Sequence, residues 1–376
     1  MLAAVSASTN PFVYSRPVSP DEVVDREEEV AQLLRWAAGG HYVRLYAPRK
    51  FGKTSLLGRV LRDGERDEGL VPIMVDLYGV LSLADITVRI ERAYARELKG
   101  ALRARVDQFL QSTGLGLSLG AFGISARLQL DPRLDPLPAL HSLLDLPLRL
   151  GDGGGRALVV FDEFQDVVKV GGVDALLRSH IQHQGEVASY VFSGSEPGMM
   201  RQLFEDKARP LYGSAVPLRL HALRDEDIAA YVAGRFHATG REAGDGLNPL
   251  LQTAKGHPQR AIYLAHRLWE EVPEGETATY ERWQQAHARA LAELEPEFDA
   301  HWRSFGTSAQ KALRAVLAGD GSPLRTAVLA QLQAEKTTIH NAVQRLVAIA
   351  EVELEDRRYT IVDPLFAEWI DSLRVP

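Results

Sequence analysis

Residues 41–56 read His41-Tyr42-Val43-Arg44-Leu45-Tyr46-Ala47-Pro48-Arg49-Lys50-Phe51-Gly52-Lys53-Thr54-Ser55-Leu56: an alternating apolar run, a short kinked loop and the start of a helix. The template of a phosphate-binding loop, G-x-x-x-x-G-K-[ST], is met at Gly52, Lys53 and Thr54, with Ala47 where the first glycine belongs. Such a loop aims main-chain N–H groups at an anion from a helix N-terminus, sets a lysine on the β- and γ-phosphates and offers a hydroxyl to Mg²⁺. Pro48, Arg49, Lys50, Phe51, Gly52 and Ser55 would form the cradle, and Lys53 and Thr54 the cation and the hydroxyl. Taken alone, the match also fits a turn between strand and helix with a surface lysine, so the surrounding chain has to decide.

Downstream, Ala157-Leu158-Val159-Val160-Phe161-Asp162-Glu163-Phe164 is a buried strand that ends in two acids. Behind a phosphate-binding loop this pairing has a chemical reading: Asp162 in the Mg²⁺ shell with Thr54, and Glu163 polarising an attacking water. A third short strand, 189–195, ends Ser193-Gly194-Ser195, and either serine is a candidate to sit beside a γ-phosphate, although Ser-Gly-Ser is also an ordinary strand-to-helix turn. The near-continuous apolar run at 71–77 and a last strand at 215–223 complete five strands. Helical stretches at 25–38, 55–63, 82–110, 140–150, 173–184 and 197–204 flank and separate them. Such alternation predicts an α/β fold with a mostly parallel sheet covered on both faces. Residues 112–131 break the rhythm, with Leu115, Leu117 and Leu119, then Ile124, Ala126, Leu128 and Leu130 at alternate positions, and read as an inserted β-hairpin.

From residue 224 the pattern turns helical, with segments at 225–238, 247–255, 259–271 and 280–294 forming a small lid. Arg260 lies in the first turn of the third, the wrong charge for that end of a helix dipole, which leaves room for an anion beside it and makes Arg260 a candidate to bind the nucleotide. The stretch 295–376 reads helix, helix, helix, then two short strands around Asp356-Arg357-Arg358, the order of a winged helix-turn-helix. Its third helix would present Thr337, Thr338, His340, Asn341 and Arg345 to a DNA groove. Charge opposes DNA, because that stretch carries nine basic against twelve acidic residues. At the other end, a proline-rich and aromatic leader over 1–20 drapes on the folded part, and the resulting division is leader 1–20, core 21–223, lid 224–294 and winged-helix domain 295–376.

Composition sets the outer limits. A chain of 376 residues suggests two or three domains. With 45% hydrophobic and 25% charged residues it has the balance of a globular protein, and its net charge of −7 does not favour a surface built for nucleic acid. There is no cysteine, so disulfides, thiol nucleophiles and Cys-ligated zinc are excluded. No apolar run is long enough for a membrane span and residues 1–10 lack a signal pattern, so the expectation is a cytoplasmic protein without a membrane partner.

These residues together resemble the archaeal-type ATPase family of P-loop NTPases, near the STAND and AAA+ groups. The resemblance is carried by Asn10-Pro11-Phe12, Val24-Asp25-Arg26-Glu27, Pro48 to Ser55 (Walker A), Phe161-Asp162-Glu163-Phe164-Gln165 (Walker B), Gly194-Ser195, Pro210-Leu211-Tyr212-Gly213, Gly256-His257-Pro258 and Asp363-Pro364-Leu365-Phe366. It implies an ASCE-type sheet of order 5-1-4-3-2 followed by lid and winged helix, ATP with Mg²⁺, adenine near Val24 and Arg26, and Pro258 against the nucleotide. Where relatives often carry arginine after Tyr-Gly, Ser214 follows Gly213, so Arg209 or Arg201 would have to supply a transition-state guanidinium. The function expected is an ATP-binding and ATP-hydrolysing molecular switch that exchanges ATP and ADP and acts on a protein partner or a second copy of itself. The alternatives are a DNA-binding regulator and an ATP-driven assembly scaffold, each with little hydrolysis.

Overall fold

The computed structural model describes residues 9–113, 118–120, 123–124, 134–151 and 156–373. Five strands run parallel in one sheet: β1 (Val43–Tyr46), β2 (Val71–Asp76), β3 (Ala157–Asp162), β4 (Ala188–Gly194) and β5 (Val216–Arg219). Their order is β2-β3-β4-β1-β5, which is the expected 5-1-4-3-2 read from the opposite edge. Every residue of β3 and β4 is buried, which is why these stretches are apolar without alternation. Successive side chains still part to opposite faces: Ala157, Val159 and Phe161 join one core with Ile90, Tyr94 and Leu143, whereas Leu158 and Val160 join the other with Leu33, Leu56 and Val60.

Three expected helices differ in extent. The stretch 82–110 is two helices, Leu83–Glu97 and Gly100–Ser112, because Leu98 and Lys99 are extended and Gly100 turns left-handed at φ +54°. The stretch 140–150 divides at Asp145 into Leu137–Leu144 and Leu146–Gly151, with Pro147 in the first turn of the second. The helix expected to stop at 294 runs Tyr280–Ser304 through Pro296, held past the missing proline N–H by Leu294, Phe298 and Trp302 on its buried face. Most of the hairpin expected at 112–131 lies outside the described residues; Leu119 and Ile124 within it are buried in the same core as Ile90.

Beyond β5 come the helices Asp225–Ala238, Leu247–Ala254 and Pro258–Glu270, then the long helix Tyr280–Ser304. Three more helices follow (Thr307–Ala318, Thr326–Gln331, Lys336–Ala348), then the antiparallel pair β6 (Val352–Glu355) and β7 (Arg358–Ile361) and a last helix, Pro364–Ser372. All share one continuous core, and the leader is part of it: Phe12 is 1% exposed and its ring lies 5.6 Å from that of Phe236. The C-terminal unit also touches the sheet domain closely, for Gly198 in the helix Pro197–Glu205 faces Ala348, and a Cβ at 198 would stand 2.7 Å from the Ala348 carbonyl oxygen. Gly198→Val should therefore push the two apart, lowering the thermal midpoint by the equivalent of about 1–3 kcal/mol and raising the radius of gyration measured by small-angle scattering.

Candidate functional site

Because β4 pairs with both β1 and β3, the loops leaving the carboxyl ends of these three strands emerge side by side. From β1 the chain turns through Lys50 (φ +67°) and Gly52 (φ +81°) into the helix Lys53–Glu68. The left-handed positions fall there and not at Ala47, so alanine costs no backbone strain where the template has glycine. Lys53 is 5% exposed, and its Nζ donates to the carbonyls of Ala47 and Pro48, both at 3.0 Å. No carboxylate of the described residues forms an ion pair with it, and burial pushes its ammonium below the ordinary lysine value against the pull of Glu163 and Asp162. Thr54 Oγ1 donates to Asp162 Oδ2 at 2.8 Å, so the hydroxyl and carboxylate expected to share a divalent cation already stand together.

Glu163 follows β3 in a left-handed conformation, φ +50°. Its Oε2 accepts from Ser195 Oγ at 2.6 Å and from Gln165 Nε2 at 2.5 Å. Between the two candidate serines the structure brings Ser195 to the acid; Ser193, within β4, is wholly buried and its Oγ has no hydrogen-bond partner among the described residues. Gln165 is not among the expected site residues, although the motif places an amide two positions after the base; the structure buries it there.

A cavity of about 320 Å³ opens over these groups. Its polar end is Arg49 to Ser55 with Glu163, and its apolar end is Val18, Val23, Val24, Leu223, Tyr231, Pro258 and Ile262. The leader forms one wall, fixed where Ser55 Oγ accepts from the Val18 N–H at 3.2 Å. Arg26 lines the same cavity, held by Glu29 at 2.8 Å and the His221 carbonyl at 2.6 Å. Arg49 meets Glu196 at 3.4 Å, and Lys50 reaches across to Glu297 on the long helix at 3.2 Å.

Three expected cations lie elsewhere. Arg209 is paired with Asp174 at 3.2 Å, and neither it nor the exposed Arg201 lines the cavity. Arg260, 1% exposed, turns from the cavity and grips Asp363 through Nε at 2.9 Å and through Nη2. The anion anticipated beside Arg260 is thus a side chain of the C-terminal unit. Asp363 in turn caps the helix Pro364–Ser372 by accepting from the N–H groups of Leu365 and Phe366. Burial alone would raise its carboxyl, but the bonds and charge of Arg260 outweigh this and hold it below the ordinary value.

The sheet order, the loop-to-helix turn and the acids ending β3 define the P-loop ATPase fold. The chain is similar to the Walker-type ATPase of Pyrococcus abyssi, with a TM-score of 0.70 and 19% identity over 95% of this chain and 99% of that one. It is also similar to the Aeropyrum pernix ORC2 protein in its ADPNP–ADP complexes, with a TM-score of 0.59 and 16% identity over 96% and 97% of the two chains. No family model and no curated protein matches the sequence. Among the described residues, no helix is long and apolar enough to cross a membrane.

His257 closes the back of the loop, its ring 5.0 Å from that of Phe51 and its Nδ1 accepting from the Arg260 N–H at 3.3 Å, which caps the helix Pro258–Glu270. Burial pushes its pKa down from 6.5 to about 4. The unfolded chain therefore binds the proton first as pH falls, so the contribution of neutral His257 is whole above 6.5 and is lost on the way down to about 4. Denaturant titrations at pH 7 and pH 4.5 should differ by roughly 3 kcal/mol at most from this residue, and His257→Asn should blunt the difference.

Proposed function

We propose that this chain is an ATP-binding and ATP-hydrolysing molecular switch of the cytoplasm, whose nucleotide state positions a C-terminal winged-helix domain for signalling or regulation. The observation that carries this reading is Lys53, a buried ammonium resting on its own loop's carbonyls beside Thr54, Asp162 and Glu163. A buried cation without an ion-pair partner is costly, and a phosphate group would satisfy it. The apolar end of the cavity suits a purine base, with Val24, Tyr231 and Pro258 as its walls. That the ORC2 structure of similar fold holds ADPNP and ADP supports the same choice of ligand.

In this mechanism Lys53 and the loop N–H groups hold the phosphates of ATP, and Glu163 takes the proton of a water attacking the γ-phosphate in line. Thr54 and Asp162 are the residues that would hold Mg²⁺, which when bound offsets the phosphate charge. The switch reading is supported by two pairs that join nucleotide-proximal residues to the C-terminal half, Lys50 with Glu297 and Arg260 with Asp363. On the winged helix, Thr337, Thr338, His340, Asn341 and Arg345 are all exposed and free to meet a protein partner, a second copy or DNA, with the acidic charge of the domain favouring protein.

Purified protein should hydrolyse ATP in a Mg²⁺-dependent way. Glu163→Gln should keep ATP binding while turnover falls by at least about 100-fold, and Lys53→Ala should lose binding as well, as read by calorimetry and phosphate release. Wild-type turnover in Glu163→Gln protein would sink the assignment.

A further inference from the structure

The mechanism leaves one buried polar side chain beside Glu163 unused. Gln165 is 1% exposed and meets two site residues with both ends of its amide. Its Oε1 accepts from the Ser195 N–H at 3.3 Å, and its Nε2 donates to Glu163 Oε2 at 2.5 Å and to Ser195 Oγ at 3.3 Å. Ser195 Oγ, accepting from Gln165, gives its own proton to the same Glu163 oxygen at 2.6 Å. The three side chains thus close a ring. Only one orientation of the amide satisfies it, since the flipped group would set an oxygen against the carboxylate and an NH₂ against a backbone N–H.

The ring is asymmetric at Glu163. Both donors fall on Oε2, whereas Oε1 accepts no hydrogen bond from a described residue, and Glu163 lines the cavity. One oxygen is therefore held by two donors, and the other is left without one among the described residues. The fold makes room for this arrangement at Gly194, where a Cβ would come within 2.8 Å of Gln165 Oε1. It also keeps Glu163 left-handed, a strained conformation for a residue with a side chain.

We infer that Gln165 is a positioning residue for hydrolysis: by holding Oε2 of Glu163 and both polar groups of Ser195, it aims the free Oε1 at water and ties the serine that ends β4 to the base. The inference rests on the hydrolytic reading of the site. It is distinct from nucleotide binding, because Gln165 does not line the cavity and acts only through its two neighbours.

The test compares steady-state kcat and KM for ATP, the calorimetric Kd for ATP and the thermal midpoint in wild type, Glu163→Gln, Gln165→Met and Gln165→Glu. Gln165→Met keeps the volume and removes the amide; kcat should drop about 10- to 100-fold, with KM and Kd within about threefold. Gln165→Glu keeps an acceptor for the Ser195 N–H but replaces the donor with a carboxylate facing Glu163, and its kcat should drop at least as far. A purely structural role would lower the thermal midpoint and weaken ATP binding along with turnover, and that pattern in both Gln165 variants overturns the proposal. So does wild-type kcat in Gln165→Glu. If Glu163→Gln is inactive while both Gln165 variants turn over normally, only the role of Gln165 fails. If Glu163→Gln matches wild type, the hydrolytic reading fails and takes this one with it.

Discussion

The placement of β4 between β1 and β3 is the constraint on which the rest of this molecule depends. Strand adjacency in a parallel sheet is fixed by backbone hydrogen bonds, and here it sets Tyr46 beside Gly194 and Phe161 beside Phe192. The next residues along each strand are Ala47, Ser195 and the acids Asp162 and Glu163, so a loop, a hydroxyl and a pair of carboxylates from three separate stretches of the sequence share one rim. Both outer faces of these strands are packed, which leaves the carboxyl edge as the place where polar groups can collect. The loop needs left-handed backbone at Lys50 and Gly52, and both residues take it.

A second level of organisation joins this rim to the C-terminal half. His257 caps the helix Pro258–Glu270, Arg260 of that helix holds Asp363, and Asp363 caps the helix Pro364–Ser372. A single run of polar contacts therefore fixes two helix starts from opposite sides of the junction. Around it lies a cavity of about 480 Å³ whose rim carries Arg49 with Glu196, Lys50 with Glu297 and His301 with Glu351. The bond to Glu351 holds the His301 imidazole above its ordinary pKa, so that pair keeps its charge to higher pH than a free histidine. The pairs of Lys50 and Arg49 are solvated and weak, whereas Arg260 is buried and loses heavily without its partner. The junction is thus firm at one point and soft around it.

Much of this was legible in the sequence because the relevant signals are local. Apolar strands ending in small or acidic residues located the sheet, and Gly52-Lys53-Thr54 with Asp162-Glu163 located the site. What could not be read were long-range pairings. The positive charge of Arg260 in a helix's first turn suggests a place for the nucleotide's anion, but the charge is taken instead by Asp363, more than a hundred residues away, which nothing in the sequence announces. Arg209 failed in the same way, claimed by Asp174. Gln165 lay inside a motif already noted, yet its role depends on how β3 and β4 end relative to each other. Helix limits at Lys99 and Asp145 were missed because strong apolar periodicity continued across them.

The helix Tyr280–Ser304 acquires a mechanical meaning from its length. Its 25 residues form a rod about 37 Å long, packed against the helix Pro258–Glu270 toward one end and among the C-terminal helices at the other. A tilt of about 5° about one end would carry the other through roughly 3 Å, more than enough to break a hydrogen bond. Pro296, next to Glu297, marks where the rod's backbone is most readily bent, so the turn that meets Lys50 is also the one least held by backbone hydrogen bonds.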